Sequence, residues 1–135
     1  MKKDILIPIV ENVFLAAVQE FSVEFNEKVW NVYLVNDSDF DLDSVMIVSS
    51  AFGTLDGEMK KTSLLRHAYA SVPAVSVAKV ELLEDSVLAL NNEFMLTYFI
   101  NNKMYDKVFI FKSNSINESA TEEVPILFVE GVIER

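Results

Sequence analysis

The amino-acid sequence predicts an all-β protein, an antiparallel, immunoglobulin-like β-sandwich of about seven or eight strands in one domain covering 1–135. Three observations carry this expectation. Valine (18), isoleucine (9) and aromatic residues (15) make up nearly a third of the 135 residues, and such side chains suit a pleated, half-buried surface. Several segments alternate apolar and polar residues with period two, as a strand with one wet face does. Turn signals recur at short spacing, with no long helical window, repeat or low-complexity linker between them. Strands joined by short turns pair antiparallel, and two such sheets stacked face to face bury their apolar parities. A closed barrel is the alternative.

The elements follow in chain order. Residues 1–11 imitate a signal peptide, but Asp4 and Glu11 interrupt the apolar stretch and no small-residue cleavage site ends it. They read as a first strand or arm, and the protein as cytoplasmic. Residues 13–25 read as a strand, because the alternation persists through Phe21-Ser22-Val23-Glu24-Phe25; a helix through Phe14, Ala17, Val18 and Phe21 competes. Asn26-Glu27-Lys28 connects it to residues 29–36, dense in β-formers and expected to be central. The acidic loop 37–43 ends that run, since Asp and Ser satisfy their own backbone in turns.

Residues 44–52 form the next predicted strand, and Asp56-Gly57 closes the clearest turn, where φ is positive. Residues 58–67 are polar and read as one edge strand, with Lys60 and Lys61 discouraging edge pairing. Pro73 breaks the ladder. Residues 76–83 resume it, with Ala78, Val80 and Leu82 expected on one face. Residues 93–100 and 103–112 form the best hairpin, closed by Asn101-Asn102, with Phe109 and Phe111 facing Phe94, Leu96 and Tyr98. Ser115 and Glu118 have capping-box spacing, predicting a short helix within 115–122. Residues 125–129 read as the last strand.

Composition excludes much chemistry. The chain has no cysteine, one histidine and three glycines. Disulfides, thiolate metal sites and two-histidine zinc motifs are therefore out of reach, as are the glycine-rich phosphate cradles. Eleven basic against twenty-one acidic residues give a net charge of −10, which repels a nucleic-acid backbone. The longest unbroken apolar run, 13–18, is far too short for a spanning helix. No nucleic-acid, membrane or cofactor partner is expected.

Two polar groupings remain. Asp37, Asp39, Asp41 and Asp43 alternate like the first ligands of a calcium loop. Leu42 and Val48 stand where an EF-hand needs glycine and glutamate, so only a looser calcium- or small-ligand-binding site stays open. Thr62, Ser63, Arg66 and His67 form a second candidate polar site, the place for a hydrolase-type centre on His67. No nucleophile elbow accompanies it, and no catalytic residue is assigned. Trp30, Tyr33, Phe94, Tyr98, Tyr105, Phe109 and Phe111 are either core or an aromatic platform. Residues 29–35 and 93–100 are apolar on both parities, unlike a sheet with one solvated face. Either both faces are covered, or one docks on another chain. The expectation is a non-catalytic interaction module, partnered by a second copy as a homodimer or by another protein.

Three blocks carry a resemblance. They are Trp30-Asn31-Val32-Tyr33-Leu34-Val35-Asn36; Lys61-Thr62-Ser63-Leu64-Leu65-Arg66-His67 followed by Val72-Pro73-Ala74; and Leu90-Asn91-Asn92-Glu93-Phe94 continuing to Tyr105-Asp106-Lys107. The chain resembles, over about 13–111, a family of small uncharacterised proteins of Bacteroidetes-type bacteria. Some members are labelled phenylalanyl-tRNA synthetase α subunit. A class II synthetase needs arginines to clamp ATP, and the only arginines here are Arg66 and Arg135, so that label reads as inherited.

Overall fold

The computed structural model describes residues 8–135 as two stacked antiparallel sheets. The first sheet has the order β6-β2-β1-β10-β9, formed by β1 (Val13–Ser22), β2 (Glu27–Asn36), β6 (Ser76–Leu83), β9 (Glu122–Val124) and β10 (Val129–Glu134). The second has the order β4-β3-β7-β8, with β3 (Leu42–Leu55), β4 (Glu58–Lys61), β7 (Asn91–Ile100) and β8 (Lys103–Phe111). In it β5 (Leu65–Val72) also pairs with β3. The neighbours β1-β2-β6 and β3-β7-β8 reproduce the A-B-E and C-F-G relations of the immunoglobulin sandwich. The predicted class therefore stands, with ten strands.

The core sits between the sheets. Leu15, Val32 and Leu34 from one sheet face Ile47, Phe94, Leu96, Phe109 and Phe111 from the other, all buried. Phe94 pairs with Phe109 in register and meets Phe111 edge to face at 5.9 Å between ring centroids. Both hairpin turns foreseen from Asp-Gly and Asn-Asn use positive φ at both central residues: Asp56 and Gly57, then Asn101 and Asn102. Trp30, Phe94, Tyr98, Phe109 and Phe111 are core rather than platform.

Several expectations need correction. The proposed arm at 1–11 falls partly outside the described residues, and 8–11 carry no regular structure. The first strand ends at Ser22, and residues 23–26 turn. The segment 58–67 is not one strand, because Thr62 leaves the ladder: its Oγ1 accepts the Ala51 amide at 2.8 Å while its own N–H donates to the Ala51 carbonyl. Residues 125–128 form a turn rather than a strand. Pro125 has no N–H to donate, Ile126 and Phe128 adopt positive φ, and Phe128 N donates back to Val124 O. The helix foreseen within 115–122 is one 3₁₀ turn, Glu118–Ala120, whose cap is Asn117 rather than Ser115. An unforeseen four-residue helix, α1 (Asp85–Leu88), joins β6 to β7.

The two-sided apolarity of β1 and β2 has an intrachain cause. Phe14, Ala16, Val18 and Val35 share the outer face of their sheet by register, yet all are buried. Gly131 pairs with Val18, whereas Asp37 lies beyond the opposite end of β1. The turn 125–128 nevertheless shares a concavity with Asp37 and Val75. The C-terminal hairpin thus lies across this sheet instead of merely extending it, and Ile126 and Leu127 pack on the core.

Tyr98 stacks on Tyr105 with centroids 5.1 Å apart and rings 4° from parallel. Burial, then the neighbouring Tyr105, pushes the Tyr98 hydroxyl up to about 12. Burial, then the hydrogen bond and charge of Glu20, pushes Tyr33 up to about 12 as well. Below pH 10 these hydroxyls are protonated whether or not the chain is folded. Between 10 and 12 the unfolded chain releases protons that the folded chain retains, so stability falls across that window. An ultraviolet tyrosinate titration should show Tyr33 and Tyr98 ionising late, and both Tyr33→Phe and Tyr98→Phe should remove a late step.

Candidate functional site

The sheets diverge at the edge where β5 crosses to β6, and the gap holds a cavity of about 280 Å³. Its position follows from a β-bulge. The β2–β6 register shifts between Val32 and Tyr33, and one extra residue flips every later side chain to the other face. Ala78 pairs with Leu34, but Glu81 then pairs with Val32 and Leu83 with Trp30. Glu81 therefore points inward and Leu82 falls on the outer parity, correcting the expected face of Ala78, Val80 and Leu82.

The Glu81 carboxylate bridges the sheets. Its Oε1 accepts from Ser49 Oγ at 2.5 Å and from His67 Nε2 at 2.8 Å. Ser49 is buried, and the His67 and Glu81 side chains are 21% and 13% exposed. Tyr69 adds a third tie, donating its hydroxyl to the Lys79 carbonyl at 2.7 Å. An inward-pointing acid on an edge strand also deters pairing with another chain.

Of the four residues singled out in the sequence, Thr62 and Ser63 line the cavity with Ser49 and Glu81. His67 reaches it through Glu81. Arg66 does not: it has the opposite parity on β5, is exposed, and stands beside Val48 on the outer face. Ser49, Glu81 and Asn92 are the members that sequence reasoning missed; an acid in an apolar strand was the only available signal for Glu81.

The wiring decides the chemistry. A nucleophilic triad needs imidazole between hydroxyl and carboxylate, so that the ring takes the hydroxyl proton. Here the carboxylate lies between the two donors, and Thr62 Oγ1 is committed to the Ala51 amide. The arrangement clasps the two sheets. Replacing Glu81 by alanine strands two donors and should cost about 1–3 kcal/mol. Glu81→Gln retains an acceptor and should cost less. Urea unfolding of both variants checks this, and an unchanged midpoint for Glu81→Ala would contradict it.

Asp37, Asp39, Asp41 and Asp43 are all exposed, and the structure does not gather them. Among the described residues no group of three or more His, Asp or Glu side chains is placed to hold a metal ion. Asp41 instead accepts the Ala74 amide at 2.9 Å, joining the loop to the β5–β6 turn. Among the described residues no helix is long and apolar enough to cross a membrane.

Fold and site together define an antiparallel β-sandwich domain with a side-chain clasp across one open edge. No protein-family model matches the chain, and no curated protein or solved structure matches it.

Proposed function

We propose that this chain is a cytoplasmic, non-catalytic interaction module that self-associates through the outer face of the β3-β7-β8 sheet. One observation carries the reading. Val48, Met95 and Val108 stand side by side across three strands on the outward parity. Beside them Met46 and Met104 have the same outward parity and are exposed. The outward side chains of an antiparallel sheet facing water are ordinarily polar, and an exposed apolar cluster of this kind marks a contact surface. The opposite sheet has no such cluster at Phe14, Ala16, Val18 and Val35, because its own C-terminal hairpin covers them.

Charge favours a second copy as the occupant. Arg66 flanks the apolar row on the β5 side, and Asp106 flanks it on the β8 side, opposite Thr97. A two-fold axis along the strands turns the β5 side of one copy over the β8 side of the other. The apolar row then meets itself, and Arg66 of each copy approaches Asp106 of the other, as an isologous interface requires. Two chains of charge −10 repel at long range, so self-association needs a locally complementary face. The lack of cysteine is compatible with a reducing compartment. Light scattering at micromolar protein should give a dimer mass, and Met95→Glu with Val108→Glu should give a monomer. A strict monomer for the unmodified chain would overturn the proposal.

A further inference from the structure

The outer side of the β1–β2 hairpin holds a separate cavity of about 460 Å³, lined by Glu20, Asn31, Tyr33 and Lys79 with Phe21 and Phe25. Both phenylalanines are exposed. Glu20 Oε1 accepts from Asn31 Nδ2 and from the Tyr33 hydroxyl, each at 2.8 Å. A carboxylate accepts only from the NH₂ end of an amide, so these bonds fix which way Asn31 is turned. Its Oδ1 is left buried without a hydrogen-bond partner, the only such side-chain atom among the described residues, although Asn31 is just 4% exposed.

An orphaned buried acceptor is costly unless something supplies a donor. The Asn31 and Tyr33 donors are already used, since both serve Glu20, while the Ser22 hydroxyl accepts the Phe25 amide. Lys79 lines the cavity but forms no ion pair with Glu20 within 4.0 Å. Glu20 and Glu24 outweigh Lys79, so the lining is net negative, and its unpartnered buried atom is an acceptor. Anions are repelled by Glu20, and neutral hydroxyls bring a donor without charge. A protonated amine brings several donors and the matching charge, while Phe21 and Phe25 offer apolar surface to its carbon chain.

We propose that this cavity binds a primary ammonium group on an apolar chain, with its N–H donors going to the Glu20 carboxylate and the Asn31 amide oxygen. A free alkylamine and a lysine side chain of another polypeptide present the same chemistry. The test is an amide NMR titration of the full chain with butylammonium chloride and with Nα-acetyl-lysine amide, using butanol and butyrate as controls. Butylammonium should give saturable shifts at residues 20, 31 and 33, and the controls should not. Tighter binding of the lysine derivative assigns the site to a polypeptide, and tighter butylammonium binding to a free amine. Glu20→Gln keeps an acceptor for Asn31 and Tyr33, so the fold should persist while affinity falls about tenfold or more. Lys79→Met removes the resident cation and should bind at least as tightly as the unmodified chain. No saturable shift in either the unmodified chain or Lys79→Met would overturn the proposal. So would butanol matching butylammonium, or Glu20→Gln binding undiminished.

Discussion

Asn36→Leu is expected to destabilise the fold by about 3 kcal/mol, although leucine branches at the same carbon with the same number of heavy atoms. Asn36 is fully buried at the end of β2. Its Nδ2 lies 2.8, 2.9 and 3.2 Å from the carbonyls of Phe40, Pro73 and Val72. Its Oδ1 accepts the Ser38 hydroxyl at 2.6 Å and the Ser38 amide at 3.2 Å. One side chain thus joins the acidic loop to the β5–β6 turn and satisfies groups that water does not reach. Leucine would strand the Val72 carbonyl and the Ser38 amide together, and each unmet group costs about 1–3 kcal/mol. The melting temperature should fall by roughly 10 °C, and a fall of one or two degrees would show that water replaces the lost bonds.

Gly131→Val should cost a similar amount for the opposite reason, too much matter instead of too few bonds. A Cβ at Gly131 would lie 2.8 Å from Val124 Cγ2, 3.1 Å from Val18 Cγ2 and 3.0 Å from the Ala17 carbonyl oxygen. The carbonyl belongs to the β1 backbone and cannot step aside, and Val124 is fully buried. Overpacking of this kind costs about 1–3 kcal/mol, and valine adds two methyl groups to the first clash. Gly131→Ala should fall between valine and the unmodified chain. The C-terminal hairpin should loosen first, so amide exchange should accelerate at Phe14, Ala16 and Val18 before it does at Phe94. Unchanged protection of β1 in the valine variant would contradict this placement of the hairpin.

The fold class was legible because period-two alternation and turn chemistry are local. Asp56-Gly57 and Asn101-Asn102 turn where they should, and Phe94, Phe109 and Phe111 meet across the predicted hairpin. Errors arose where a local pattern was overridden by something distant. Thr62 broke an apparently continuous strand by taking the Ala51 amide. The apolar residues 126–128 resembled a strand, yet their apolarity serves the packing of a turn. The site was half legible. Its threonine, serine and histidine stood out by chemistry, whereas Glu81 faces inward only because the bulge opposite Val32 and Tyr33 shifts the register. No alternation in the sequence reveals a bulge, since the extra residue is defined by its partner strand. Arg66 failed for a simpler reason: one position from His67 in a strand is the other face.

The outward apolar row on β3, β7 and β8 is tested most directly at its own methionines. With methyl-labelled methionine and a soluble paramagnetic probe, the Met46, Met95 and Met104 methyl groups should be accessible in dilute protein. They should become shielded together as concentration rises. Three methyl groups that stay as accessible in concentrated protein as in dilute protein would contradict the interface.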